Sequence, residues 1–189
     1  MKTLVITGAS GLGKTYLGDQ LMKQYPTLFD QAKVFTNRAP RTNETPTDRI
    51  FISTAEFNKR AKNKEFTIAG EFGGNMYGFT KEAIYPRGNM HILVNIWPAL
   101  LPDFLNLKDV VIVALQASPK DLTMLEKRML ARGDSPATIQ TRKKLIVNDI
   151  EIVNQYIDLL QINGAVFKIV NDDTIHTTVL PWVKEQLNL

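Results

Sequence analysis

The sequence predicts an α/β fold, a parallel β-sheet flanked by helices, in a single folding unit. Three observations carry this expectation. Short apolar runs alternate with longer amphipathic stretches along the chain, the pattern of buried strands separated by covering helices. A glycine-rich turn at residues 8–13 stands between the first apolar run and the first amphipathic stretch, which reads as strand, turn, helix. The 189 residues suffice for one hydrophobic core with a small insertion and fall short of two independent domains.

Along the chain, residues 3–7 are apolar or β-branched and form the first buried strand; the helix after the glycine turn spans 14–25 and closes at Pro26. Residues 34–36 make a second short strand. The polar stretch 37–49, with Pro40 and Pro46, reads as loop. Ser53 and Glu56 have the spacing of a capping box for a helix to about Lys62. Residues 66–78 mix strand formers with glycines and suit a small antiparallel piece. The sheet resumes at 90–95, 110–116 and 166–170, with a helix after each strand. Ser118-Pro119 caps one of these helices and Gly133 ends it; Ser135-Pro136 opens another that runs to about Leu160, and residues 174–187 form the last.

Composition removes several kinds of chemistry. With no cysteine in the chain, disulfides, thiolate metal sites and thiol nucleophiles are excluded. His91 and His176 lie far apart in sequence and do not suggest a metal site. The opening MKTLVITGASG is too soon interrupted to be a signal peptide; no apolar run is long enough to span a membrane, and a cytoplasmic location is expected. The net charge of +4 comes from basic residues dispersed among 19 acidic ones. Anionic small molecules, rather than nucleic acid or a membrane, are the expected partners of that excess.

The turn itself carries the sharpest signal. Gly8-Ala9-Ser10-Gly11-Leu12-Gly13-Lys14-Thr15 matches G-x-x-x-x-G-K-[ST] in full, the phosphate loop of P-loop NTPases. Glycines allow backbone amides to curl around a phosphate, and the following helix directs its positive end at the same anion. Lys14 is placed to neutralise the β and γ oxygens, and the Thr15 hydroxyl to hold Mg²⁺. Tyr16 follows directly. Such a loop implies a nucleoside triphosphate and no more.

Arg38 and Arg41 flank Pro40 on an extended stretch, where two guanidinium groups grip a phosphate or simply form a solvated basic loop. Arg128 and Arg132 are four apart, on one helical face, and Arg142 returns on the next helix after the turn at 133–136. A mobile cationic flap and structural pairing with Glu126 or Asp134 both fit that spacing.

With the phosphate loop, the stretches 36–41, 53–57, 74–78, 131–133 and 170–173, together with Glu44, resemble guanylate kinases in order and spacing over essentially the whole chain. The resemblance implies ATP as phosphoryl donor, Mg²⁺ as cofactor, and a small phosphorylated acceptor. Arg38, Arg41 and Tyr77 match the positions that hold the acceptor phosphate, and Arg41 also approaches the transferred group. Arg128 matches the arginine that stacks on adenine, Arg132 and Arg142 the lid arginines that reach the triphosphate, and Asn171 belongs to the matching Val170-Asn171-Asp172-Asp173 stretch on the ATP side. The implied division is a core of 1–35, 88–132 and 160–189, an acceptor-binding insertion at 36–87 and a lid at 133–159, in a monomer or homodimer.

The pattern departs from that family where the base is read. Val34, Ile68 and Phe79 stand where guanylate kinases carry serine, glutamate and serine. The strand end that carries Asp-x-Asp in the family reads Leu93-Val94-Asn95-Ile96-Trp97-Pro98, so Asn95 is the polar candidate there; Glu71 replaces the missing acid or is a solvated turn residue. The same strand end and Leu101-Pro102 also resemble ribose 1,5-bisphosphate phosphokinases, relatives with a sugar-phosphate acceptor. A non-catalytic binding module of the guanylate kinase-like type is the remaining alternative, and the intact phosphate loop weighs against it.

Overall fold

A computed structural model describes residues 1–40, 48–117, 122–131, 133, 135–169 and 173–189, without the Asn163 side chain. Five strands, β1 (Thr3–Gly8), β2 (Phe29–Gln31), β7 (His91–Asn95), β8 (Val110–Gln116) and β9 (Gly164–Lys168), form the main sheet. Their order is β2-β7-β1-β8-β9, and all four neighbouring pairs are parallel. A second sheet is built from β3 (Val34–Thr36), β4 (Arg49–Phe51), β5 (Ile68–Phe72) and β6 (Asn75–Phe79), in the order β4-β3-β6-β5.

Burial on both faces explains why the central strands are continuously apolar. Leu4 and Ile6 of β1 point with Val113 and Leu115 of β8 into one core, while Val5 points with Ile112 and Ala114 into the other. Helices α1 (Lys14–Gln24), α5 (Leu122–Ala131), α6 (Pro136–Gln155) and α8 (Leu180–Leu187) contribute to the first core. The second takes in Ile84 of α3 (Lys81–Ile84), Leu101 and Phe104 of α4 (Leu101–Leu105), Leu160 of α7 (Ile157–Asn163), and Val34, Ile68 and Phe79 of the smaller sheet. The antiparallel β5–β6 hairpin is thereby packed onto the main sheet, with α2 (Thr54–Lys62) on its far side, where Phe57 stacks near Phe66 at 4.7 Å.

Several boundaries differ from expectation. Strands β2 and β4 fall outside the strands that the sequence predicts, because each is only three residues long and carries charged or polar side chains; pairing with β7 and β3 recruits them. Ser53 caps α2 by accepting from the Glu56 amide at 3.1 Å, but the Glu56 carboxylate turns to Arg60 at 2.9 Å, so only half of the capping box forms. The helix expected over 135–160 breaks at Tyr156 into α6 and α7. Residues Ile175–Val179 form a π-helical turn before α8: Pro181 has no amide to continue the α ladder, and a wider turn absorbs the mismatch. Strand β9 begins at Gly164, two residues early. The expected cap at 118–121 lies outside the described residues.

Candidate active site

Register places the site. Ile6 of β1 lies opposite Asn95 of β7, and Gly8 lies opposite Leu115 of β8, so the phosphate loop leaves the sheet at the carboxyl ends of the central strands, where open α/β sheets bind ligands. A Cβ on Gly8 would fall 2.2 Å from the Leu115 carbonyl oxygen, and its φ is +134°. Gly13, the residue that starts α1, has a left-handed backbone (φ +94°) that side chains strain to adopt, while the nearby Ile175 Cδ1 is the movable end of a side chain. Both positions need glycine.

A cavity of about 400 Å³ opens over this loop and runs to the smaller sheet. On the loop side it is lined by Gly8, Ser10, Gly11, Gly13, Lys14, Thr15 and Tyr16, while Ala9 and Leu12 are buried in the core beneath. The Lys14 ammonium donates to the carbonyls of Gly8 at 2.5 Å and Ala9 at 2.9 Å. Arg128 of α5 donates to the Gly11 carbonyl at 3.2 Å and also lines the cavity. Tyr16 shares a 2.6 Å hydrogen bond with His176.

At the other end stand Arg38 and Tyr77, while Asn95, at the end of β7 beside Ile6 of β1, also lines the cavity. The loop around Arg38 is fixed by its neighbours: the Arg38 amide donates to Thr36 Oγ1 at 3.1 Å, and Asn37 Oδ1 accepts from the Met76 amide at 2.7 Å. Tyr77 meets the Trp97 ring edge-on at 4.5 Å, and Phe72 packs on the same indole at 5.4 Å. Val34 and Phe79 line this end as well. Asn95 Oδ1 and Trp97 Nε1 are buried with no hydrogen-bond partner among the described residues, a costly state that a bound polar group relieves.

Arg142 is half-buried on α6 and is not among the residues that line the cavity. The Glu126 carboxylate pairs with Lys143 at 2.6 Å, joining α5 to α6. Glu71 is exposed on β5 and does not line the cavity. Arg41, Arg132 and Asn171 lie outside the described residues.

Sequence reasoning misses Asp149. This residue of α6 is 4% exposed and lines the cavity near Lys14. Burial pushes its carboxyl up to about 7, while the positive charge of Lys14 pulls it down. A signal is present in the chain: Ile146, Asp149, Ile150 and Val153 occupy one helical face, all buried, and an aspartate on an apolar stripe marks a group with a task or a partner. Arg49 of β4 also lines the cavity, beside Asp48 at 2.6 Å, and is masked in the sequence by the polar stretch it ends.

The family profile described as guanylate kinase matches residues 1–163. The chain belongs to the guanylate kinase family. A curated guanylate kinase of Trichormus variabilis is 31% identical over 180 residues, covering 91% of this chain and 83% of that relative. Another, from a Synechococcus species, is 31% identical over 195 residues, covering 98% and 93%. Among solved structures, the guanylate kinase of Anaplasma phagocytophilum superposes with a TM-score of 0.69 at 18% identity, over 98% of this chain and 86% of that one, which establishes the shared fold. This member of the guanylate kinase family is a phosphotransferase of the kinase type with a P-loop NTPase core.

Proposed function

We propose that this guanylate kinase-like enzyme transfers the γ-phosphoryl group of ATP to the phosphate of GMP. The observation that carries this reading is the continuous cavity that joins the Lys14 cradle to Arg38 and Tyr77, so that donor and acceptor phosphates face one another. Phosphoryl transfer asks a protein for alignment, exclusion of water and positive charge near the equatorial oxygens. In this assignment Lys14, Arg41, Arg132 and Arg142 provide that charge. Arg38, Arg41 and Tyr77 hold the acceptor phosphate, Asn95 bonds a polar group of the acceptor, Arg128 stacks on the adenine, and Asn171 serves the ATP side. Segment 36–87 acts as the acceptor-binding insertion and 133–159 as the lid. A phosphate acceptor is already an anionic nucleophile, so no general base is invoked.

The residues present suit Mg²⁺: an exposed Thr15 hydroxyl at the cradle and a buried, unpartnered Asn95 oxygen are hard oxygen donors of the kind that cation prefers. When bound, the ion supplies charge neutralisation between neighbouring phosphate oxygens. No helix among the described residues is long and apolar enough to cross a membrane, and we place the enzyme in the cytoplasm.

A second reading has its own support. The family's base-reading positions are filled by Val34, Ile68 and Phe79, 7%, 4% and 1% exposed, and these offer a base no hydrogen bonds; a sugar-phosphate acceptor such as ribose 1,5-bisphosphate needs none there. An acceptor screen with ATP and Mg²⁺ separates the two. Turnover of GMP is expected, and turnover of ribose 1,5-bisphosphate without GMP overturns the first reading.

A further inference from the structure

The lining of the cavity is electrically lopsided. Lys14, Arg38, Arg49 and Arg128 supply positive charge, and Asp149 is the carboxylate among the described lining residues. That carboxylate is placed where it costs most: it is 4% exposed, on the buried face of α6, and α6 packs against both β1 and β8, the strand that carries the phosphate loop and its neighbour. Burial already disfavours its charge, and Lys14 is the cation that offsets it. The Lys14 ammonium in turn lies on the loop carbonyls of Gly8 and Ala9.

A triphosphate entering this cradle draws Lys14 onto its own oxygens and leaves Asp149 facing an anion in a poorly solvated space, where like charges repel strongly. A triphosphate that brings a divalent cation would lessen that conflict, since the charge of the cation would offset that of the phosphates. Meanwhile the strand-end position that would otherwise present an acid to the cation is the neutral Asn95.

We propose that Asp149 is a charge gate of the nucleotide cradle: from helix α6 its carboxylate rejects nucleotide that arrives without a divalent cation and accepts nucleotide that arrives with one. This rests on the nucleotide assignment of the phosphate loop. It makes the metal requirement a property of binding as well as of the chemical step, and it assigns that property to a residue outside the loop and outside the strand ends.

The test is a binding measurement without turnover. The affinity of a non-hydrolysable ATP analogue is measured by calorimetry at a pH well above 7, where the Asp149 carboxyl is ionised, in EDTA and in excess Mg²⁺, for the unaltered protein, Asp149→Asn and Asp149→Glu. Wild type should bind the metal-free analogue weakly and gain at least about tenfold from Mg²⁺. Asp149→Asn should bind the metal-free form on the order of tenfold more tightly while its Mg²⁺-bound affinity moves little, so the ratio collapses. Asp149→Glu keeps the charge and should keep the ratio. A purely structural role would shift both affinities together in either variant, and that outcome, or an unchanged ratio in Asp149→Asn, overturns the gate while leaving the nucleotide site intact. Should Asp149→Asn fail to fold, Asp149→Ser removes the same charge and is judged by the same ratio. Wild type that binds the analogue in neither condition overturns the nucleotide assignment together with the gate.

Discussion

The Lys14 ammonium is hydrogen-bonded to the carbonyl oxygen of Gly8 at 2.5 Å, so the cation of the phosphate loop rests on the floor of the loop it serves. Exchange of two carbonyl oxygens for phosphate oxygens moves it a short way and requires no new element. Lys14→Ala should therefore lower kcat by about a hundredfold or more, the order expected for loss of one preorganised charge, and should also lower the melting temperature above about pH 7, where Asp149 loses the cation that offsets its burial. Steady-state kinetics beside a thermal melt checks this; near-normal turnover contradicts the role given to Lys14.

Asp149 makes stability depend on pH in a direction opposite to most carboxylates. Its carboxyl is raised from 3.8 to about 7 by burial, against the pull of Lys14. Between those values the folded chain holds a proton that the unfolded chain has lost, so stability falls as pH rises through the window and the full penalty applies above it. Asp149→Asn removes the penalty. It should melt higher than wild type at pH 8, by on the order of a few kcal/mol in stability, with a much smaller gain at pH 5. A variant less stable than wild type at pH 8 shows that pairing with Lys14 outweighs burial.

Much of this architecture is legible in the sequence because burial on both faces leaves a strong mark: the runs that form β1, β7 and β8 are apolar almost throughout, and the glycine turn after β1 sets the start of α1 at Lys14. Strands β2 and β4 leave no such mark. Three residues such as Phe29-Asp30-Gln31 carry no periodicity, and only the neighbouring edge decides their conformation. The site shows the same division. Lys14, Arg38, Tyr77, Asn95 and Arg128 are picked out by motif, spacing or the family resemblance and line one cavity, whereas no motif points to Trp97, and the apolar stripe around Asp149 takes on meaning only when α6 is laid against the sheet. The break at Tyr156 and the π turn before α8 are tertiary adjustments that no local propensity encodes.

Gly8 is where the loop and the sheet compete for space. A methyl group there would collide with the Leu115 carbonyl at 2.2 Å, in a backbone conformation of φ +134° that side chains avoid. Gly8→Ala must push β1 from β8 or reshape the loop, at a cost on the order of 1–3 kcal/mol or more. The expected result is a lower melting temperature together with weaker ATP binding in the fraction that folds. Unchanged affinity and unchanged melting would mean that the loop relaxes without penalty.

Arg38 should behave differently from Lys14 because it stands at the acceptor end of the cavity. Its amide is pinned to Thr36, its guanidinium donates to the Ala39 carbonyl at 2.8 Å, and its charge lies 5.4 Å from the centre of the Phe51 ring. The backbone that carries it is held by Asn37 through Met76 and Thr54, so truncation removes charge without loosening the turn. Arg38→Ala should raise the acceptor KM by about tenfold or more, the worth of a charge-assisted hydrogen bond, with ATP affinity unaltered and kcat reduced less than in Lys14→Ala. Arg38→Lys should recover only part of the loss, since a single ammonium cannot reproduce a planar two-pronged grip. An acceptor KM that stays at the wild-type value in Arg38→Ala removes Arg38 from the acceptor site and leaves the phosphate grip to the other groups assigned to it, Arg41 and Tyr77.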